Sequence, residues 1–237
     1  AGELKHDGLF PSYHYKWFQG FWSWDSWKHA VALVKIDKEL AKNQVRAMYD
    51  YQNMDGMIAD CIFRDTTTER HNWRDTKPPL SSWAIWEIFK ETSDTTFLKE
   101  MYPKLVKYHN WWYTFRDYDK DGLCEFGSTD GSLIAAKWES GMDNAIRFDA
   151  CKIVRGSNYS INTESVDLNS YLAKEKEYLS KMAKVLSFPE YNKWEQEFNI
   201  LRDRIQNNFY DKKTGYFFDI DADNGEFLNN ALGPEGW

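Results

Sequence analysis

Cysteine is scarce: three in 237 residues. Cys61, Cys124 and Cys151 lack metal-site spacing, and their odd number leaves at least one thiol without an intramolecular partner; they do not decide the compartment. Basic charge is also short, with 30 Lys and Arg against 37 Asp and Glu, a net charge of -7 and a pI of about 5.3. No positive field is available for a nucleic-acid backbone or an anionic membrane, so neither is an expected partner. No run approaches the roughly 18 apolar residues of a membrane span, and Ala1-Gly2-Glu3-Leu4-Lys5-His6 has no apolar core of a signal peptide. A signal removed on maturation leaves the same picture. There is no Gly-x-Ser-x-Gly elbow, zinc-ligand spacing or glycine-rich phosphate loop, and the five His have no evident catalytic partner.

Aromatic residues are abundant, 17% of the chain with 12 Trp. Many are interleaved with Asp, Asn and Glu. That mixture suits carbohydrate, because ring faces stack on the C–H faces of a sugar while carboxylates and amides bond its hydroxyls. For any single Trp, filling a helical core is the better explanation.

The apolar periodicity predicts a chain of helix pairs. Ser23 or Asp25 is the expected N-cap of a helix through Val34, and Asp37 caps a second from Lys38 to about Gln52. A long loop over 54–77 is a candidate wall of a site. Pro78 or Pro79 is placed to open a third helix, and a fourth is expected over about 95–116 with Pro103 as a potential kink. Thr163 is the expected cap of a long helix to about Leu186, with Glu164 in its first turn; another runs from Pro189 to Phe209, followed by a turn and a strand. Aromatic, Asp-bearing helices alternate with plain amphipathic ones, as expected if the first kind lines a centre and the second wraps it. An α/α toroid is the leading architecture, with a bundle or solenoid as the alternative.

Two constellations carry chemistry. In Trp138-Glu139-Ser140-Gly141-Met142-Asp143, the glycine allows close approach of a ligand, and Trp138 and Phe148 are the expected apolar walls around Asp143. Such walls raise a carboxyl pKa and suit a general acid; equally, Asp143 reads as the cap of a helix starting at Asn144. Glycoside hydrolysis needs a second carboxyl, and Glu139, Asp149, Asp219 and Glu235 qualify by residue type alone. The other constellation is Asp117-Tyr118-Asp119-Lys120-Asp121-Gly122-Leu123-Cys124-Glu125, which follows the order of an EF-hand-type calcium loop: carboxylates at one, three and five, glycine at six, the Leu123 carbonyl at seven and Glu at nine. Position twelve is Ser128, so a further carboxylate is needed, and Glu164 is the candidate. A solvated acidic turn is the alternative.

Trp22-Ser23-Trp24-Asp25-Ser26-Trp27-Lys28, Asn72-Trp73-Arg74-Asp75-Thr76-Lys77-Pro78, Trp138-Glu139-Ser140-Gly141-Met142-Asp143-Asn144, Thr163-Glu164-Ser165-Val166-Asp167 and Gly233-Pro234-Glu235-Gly236-Trp237 resemble, in order, motifs of glycoside hydrolase family 63, which includes the processing α-glucosidase I and bacterial relatives. Trehalases share the Glu-Ser-Gly-x-Asp turn. The resemblance implies an (α/α)6 barrel and an inverting, exo-acting α-glycosidase, α-glucosidase by the family's usual specificity. It implies Asp143 as general acid, Trp22 and Asp25 at the non-reducing-end sugar, and Lys77 and Trp237 in the same pocket. It also implies one structural calcium held by Asp117, Asp119, Asp121, the Leu123 carbonyl, Glu125 and Glu164.

The chain departs from that pattern in two places. Only about a dozen residues separate Glu125 from Trp138, a region much longer in bacterial relatives, so substrate length and linkage stay open. The family's general base lies beyond the Gly-Pro-Glu-Gly-Trp motif, so residues 1–237 are expected to form part of a single catalytic domain whose last helices and base lie elsewhere. The expected partners are an oligosaccharide and the remaining C-terminal part of the domain. The alternatives are a non-catalytic sugar-binding fragment, or a trehalase-like or mannosylglycerate-type hydrolase. The calcium loop suits a periplasmic or secreted setting.

Overall fold

The structure, a computed structural model, describes residues 4–15, 18–67, 69–156, 158–230 and 232–236. Among the described residues seven helices carry it: α1 Ser23–Leu33, α2 Lys38–Tyr49, α3 Ser81–Thr92, α4 Thr95–Phe115, α5 Leu133–Glu139, α6 Val166–Val185 and α7 Tyr191–Asn208. Helices α1, α3 and α6 pack side by side; α2 lies against α1 and α3, α4 against α3 and α6, and α7 against α6. Helices α1, α3 and α6 thus form one layer and α2, α4 and α7 another, but aromatic content does not sort with the layers as expected: α4 carries Phe97, Tyr108, Trp111 and Trp112, and α6 has neither Trp nor Phe.

Burial follows from that layering. The inner helix α6 is covered on several sides and buries residues as varied as Leu168, Asn169, Glu175 and Tyr178, whereas outer α7 buries only Trp194, Leu201 and Ile205. Asp37 caps α2 as expected, accepting from the amides of Glu39 and Leu40 at 3.1 and 2.9 Å. Asp94 caps α4 through the Phe97 amide at 3.0 Å, and that helix continues through Pro103. None of the helices among the described residues is long and apolar enough to cross a membrane.

Four expectations are corrected. Neither Ser23 nor Asp25 caps α1; Trp22 holds that position, and the Ser23 amide donates to the Asp60 carbonyl at 2.8 Å. A short antiparallel pair, β1 Gly20–Trp22 with β2 Cys61–Phe63, anchors the helix start by backbone pairing, so no side-chain cap is required. The third helix begins at Ser81, after Pro78 and Pro79 rather than on them. The expected helix from Thr163 begins instead at Val166, because residues up to Glu164 belong to a strand, β4 Ser160–Glu164. That strand pairs antiparallel with β3 Glu125–Gly127 on one side and with β7 Ile220–Asp221 on the other. Finally, no helix starts at Asn144; a single 3-10 turn covers Ile146–Phe148, so Asp143 is not a helix cap. A hairpin, β5 Tyr210–Asp211 with β6 Tyr216–Phe217, forms the tail expected as a turn and strand.

Candidate active site and cation loop

The start of α1, the segment before α3 and the turn after α5 converge on one cleft of about 1110 Å³. Trp22, Asp25, Lys77 and Asp143 all line it, although they are spread over more than a hundred residues of sequence. Trp237 lies outside the described residues. The 54–77 segment forms one wall, as its length predicts, but it is ordered by β2 rather than irregular.

Asp143 is exposed, on a turn whose path is set by Gly141. That glycine has φ +71°, and a Cβ there would lie 3.4 Å from the Trp24 ring, so the turn lies directly on the indole face. Trp24 is packed further by the Tyr171 ring at 6.2 Å and the Lys28 ammonium at 3.6 Å. Trp138 lines the cleft as expected. Phe148 does not: it is fully buried, edge-on to Phe126 at 6.2 Å in the core.

The turn is pinned at both ends. On its N-terminal side, fully buried Glu139 accepts from Arg116 Nε at 2.7 Å and Nη2 at 2.9 Å, from the Gly127 amide at 2.6 Å and from the Thr76 amide at 3.3 Å. On the other side, buried Arg147 donates to Asp167 Oδ2 at 2.7 Å and Asp219 Oδ2 at 3.0 Å. Burial, opposed by Arg147, pushes the Asp219 carboxyl up to about 7. Glu139 and Asp219 are therefore engaged in fixed ion pairs rather than free to partner Asp143. Asp149 is exposed, with Lys137 Nζ at 3.9 Å, and Glu235 lines a separate cavity beside α6 and α7.

The floor of the cleft holds Asp60, which sequence reasoning missed as a site residue, together with Asp75 and Lys77. Lys77 Nζ donates to Asp75 Oδ2 at 3.1 Å and to the Trp138 carbonyl, and sits 3.3 Å from Asp60 Oδ1. Asn72 Nδ2 donates to Asp60 Oδ2 at 2.7 Å. Two of the ammonium's three N–H donors are thus used, and Asp60 Oδ1 is held by charge alone, without a hydrogen bond. Burial, then Asp60, pushes the Asp75 carboxyl up to about 8. Burial pulls Lys77 down, but Asp60 and Asp75 outweigh it and hold the ammonium above its ordinary value. Asp60 had one available signal: an acidic residue directly before a buried apolar strand that pairs with the aromatic lead.

The acidic loop lies away from the cleft. Carboxylate oxygens of Asp117, Asp119 and Asp121 all come within 4.8 Å of one another. Glu125 and Glu164 face each other as direct cross-strand partners on β3 and β4. Like charges opposite one another on neighbouring strands are destabilising, yet both residues are buried. Asp117 Oδ1, Glu125 Oε1 and Glu164 Oε2 are buried without a hydrogen-bond partner. Burial raises all three carboxyls, with neighbouring acids adding to it, Glu164 to about 8. Three loop carboxylates within reach of one centre fit a hard cation; Glu125 and Glu164 lie outside that close group, on the adjoining strands, with buried oxygens left unpaired. The side chain of Arg204 occupies one flank, donating to Asp121 Oδ2 at 2.7 Å.

Residues 18–236 match the sequence profile of the family described as the mannosylglycerate hydrolase MGH1-like glycoside hydrolase domain. The chain belongs to this family. Among MGH1-like relatives, the mannosylglycerate hydrolase of Thermus thermophilus is 27% identical over 162 residues, 60% of this chain and 35% of that protein. The chain therefore spans about a third of that relative's length. A crystal structure of the family 63 mannosylglycerate hydrolase from Thermus thermophilus, in complex with Tris and D-glycerate, superposes with a TM-score of 0.73 at 19% identity, covering 93% of this chain and 66% of that one. Neutral trehalase Nth1 of Saccharomyces cerevisiae gives 0.69 at 17% identity, over 86% and 47%. The fold of this MGH1-like domain is thus that of the family 63 and trehalase (α/α)6 toroids, in agreement with the expectation from its motifs.

Proposed function

We propose that this MGH1-like domain is the part of an inverting, exo-acting α-glycosidase that supplies the glycone pocket and the general acid, Asp143. The observation that carries the proposal is the convergence of Trp22, Asp25, Lys77 and Asp143 on a single aromatic cleft. Trp22 and Trp138 offer ring faces for a pyranose, and Asp25 offers a carboxylate for its hydroxyls. Asp143 protonates the glycosidic oxygen as the bond to the anomeric carbon breaks, while a second carboxylate deprotonates water on the opposite face, about 6.5–9.5 Å from the acid. Asp60 is tied to Asn72 and Lys77, Asp25 sits in the glycone wall, and Glu69 also lines the cleft; following the family motifs, we assign the base to a part of the toroid beyond these three helix pairs. Lys77 orders the cleft floor through Asp75 and Asp60 and keeps one N–H for a sugar hydroxyl.

Two glycosides compete as substrate. Glucosides are what the motifs imply. Mannosylglycerate, named in the relatives, is favoured by one further observation: Arg70 lines the cleft, and a cation there suits a carboxylate-bearing aglycone, whereas neighbouring Arg74 is already paired with Asp130 at 2.6 Å. Incubating the intact protein with aryl α-glucosides and with α-mannosylglycerate, while following the anomer released by proton NMR, tests both. Inverted product lost on Asp143→Asn supports the proposal; a retained anomer or an unaffected variant overturns it.

The loop from Asp117 to Glu125, with Glu164, is proposed as a calcium site, the Leu123 carbonyl completing the set. These residues would hold the ion, whose charge would offset carboxylates that the fold leaves unpaired. A periplasmic or secreted setting follows from the modest affinity expected of such a site.

A further inference from the structure

The two ion pairs that pin the Asp143 turn both grow out of the cation site. Arg116, which grips Glu139, immediately precedes Asp117, and its carbonyl accepts from the Glu125 amide at 2.7 Å. Gly127, whose amide also reaches Glu139, is two residues past Glu125, and a Cβ on it would lie 2.8 Å from Arg116 Nε. The guanidinium thus reaches Glu139 through space that only glycine leaves. On the far side, Asp167, which holds Arg147, is three residues after Glu164. The intervening Val166 amide donates at 2.8 Å to Asp219, the second partner of Arg147.

We infer that Glu139 and Arg147 are positioning residues through which a divalent cation at the acidic loop sets the Asp143 turn. The cation draws Asp117, Glu125 and Glu164 onto one centre; Arg116 and Asp167 are carried with them, and each fixes one end of the turn. Buried bidentate pairs transmit such a shift because they are geometrically exacting and cannot be re-formed with water. This inference rests on the proposed cation site and gives its consequence for the proposed acid.

Hydrogen exchange of the intact protein, with and without calcium and without any sugar, tests it. Calcium should slow exchange in residues 117–125 and, by about 5-fold or more, in residues 138–149, the lower bound of ordinary coupling between sites. Glu139→Gln should keep the slowing at 117–125 and lose it at 138–143. Should that variant fail to fold, Arg116→Lys keeps the charge but breaks the fork, with the same expectation. Asp119→Asn, which spares both ion pairs, should abolish the response at both segments. Slowing confined to 117–125 in the unmodified protein overturns the inference and leaves the cation site standing. A response at 138–143 that survives in the folded variants also overturns it, and no response anywhere overturns both. The readout needs no turnover, so a failed glycosidase assay does not affect it.

Discussion

The cleft and the acidic loop both gather carboxylates at the ends of inner-layer elements, but they settle the charge differently. At the cleft floor, Asp60 and Asp75 share Lys77 and Asn72, so the counter-charge is built into the fold. At the loop, Asp117, Glu125 and Glu164 keep buried oxygens without a hydrogen-bond partner; Asp60 Oδ1 shares that state but has the Lys77 ammonium 3.3 Å away. A carboxylate cluster closed by its own lysine is scaffold. One left open calls for a cation or a proton, since unpaired buried charge is too costly to persist. Asp143 belongs to neither class: it is exposed and held by its turn, free to act on a ligand.

The sharpest way to break that contrast is at Asp143. Asp143→Asn is expected to lower hydrolysis by about 10²- to 10⁴-fold, the usual worth of a general acid, with the thermal melt unchanged. A folded scaffold with full turnover would place the acid elsewhere. Next in size is Glu139→Ala, which strands a buried guanidinium and should cost about 3–5 kcal/mol in urea unfolding; a loss near zero would mean that this pair is not the rigid scaffold described. At the loop, calcium at about 100 times its dissociation constant should add about 2.7 kcal/mol, seen as a rise in Tm that chelator reverses. An unresponsive Tm would erase the difference between the two clusters.

Asp75 gives the cleft floor a pH signature. Its folded pKa is about 8 against an ordinary 3.8, so the folded state holds the proton more tightly than the unfolded chain does. Stability should therefore be fullest below the ordinary value and decline as pH rises through that window toward about 8. Asp75→Asn should flatten the decline in Tm, and an equally steep decline in the variant would locate the titrating group elsewhere. The smallest effect is expected at neither cluster. Asp37→Ala removes the cap of outer helix α2 and should cost about 1 kcal/mol while leaving both turnover and the calcium response intact.

The pairing of successive helices was legible before any fold was known, because short connections bring neighbouring amphipathic helices face to face; which helix of a pair lies inside was not, since aromatic-rich α4 sits in the outer layer. Also legible were the Asp37 cap and the loop order of Asp117, Asp119 and Asp121, since these depend on neighbours a few residues apart. That Thr163 and Glu164 are strand rather than helix was not legible, because it depends on pairing with Glu125, 39 positions away in the numbering. The same holds for Glu139: beside Asp143 it reads as a second catalytic carboxyl, but a buried guanidinium from the end of α4 claims it. Likewise, beyond its place before an apolar strand, the role of Asp60 was settled only when β2 folded onto β1 and brought it beside Lys77. Local chemistry is written in short spacings, whereas the ownership of a charge is settled by whichever partner the fold delivers to it.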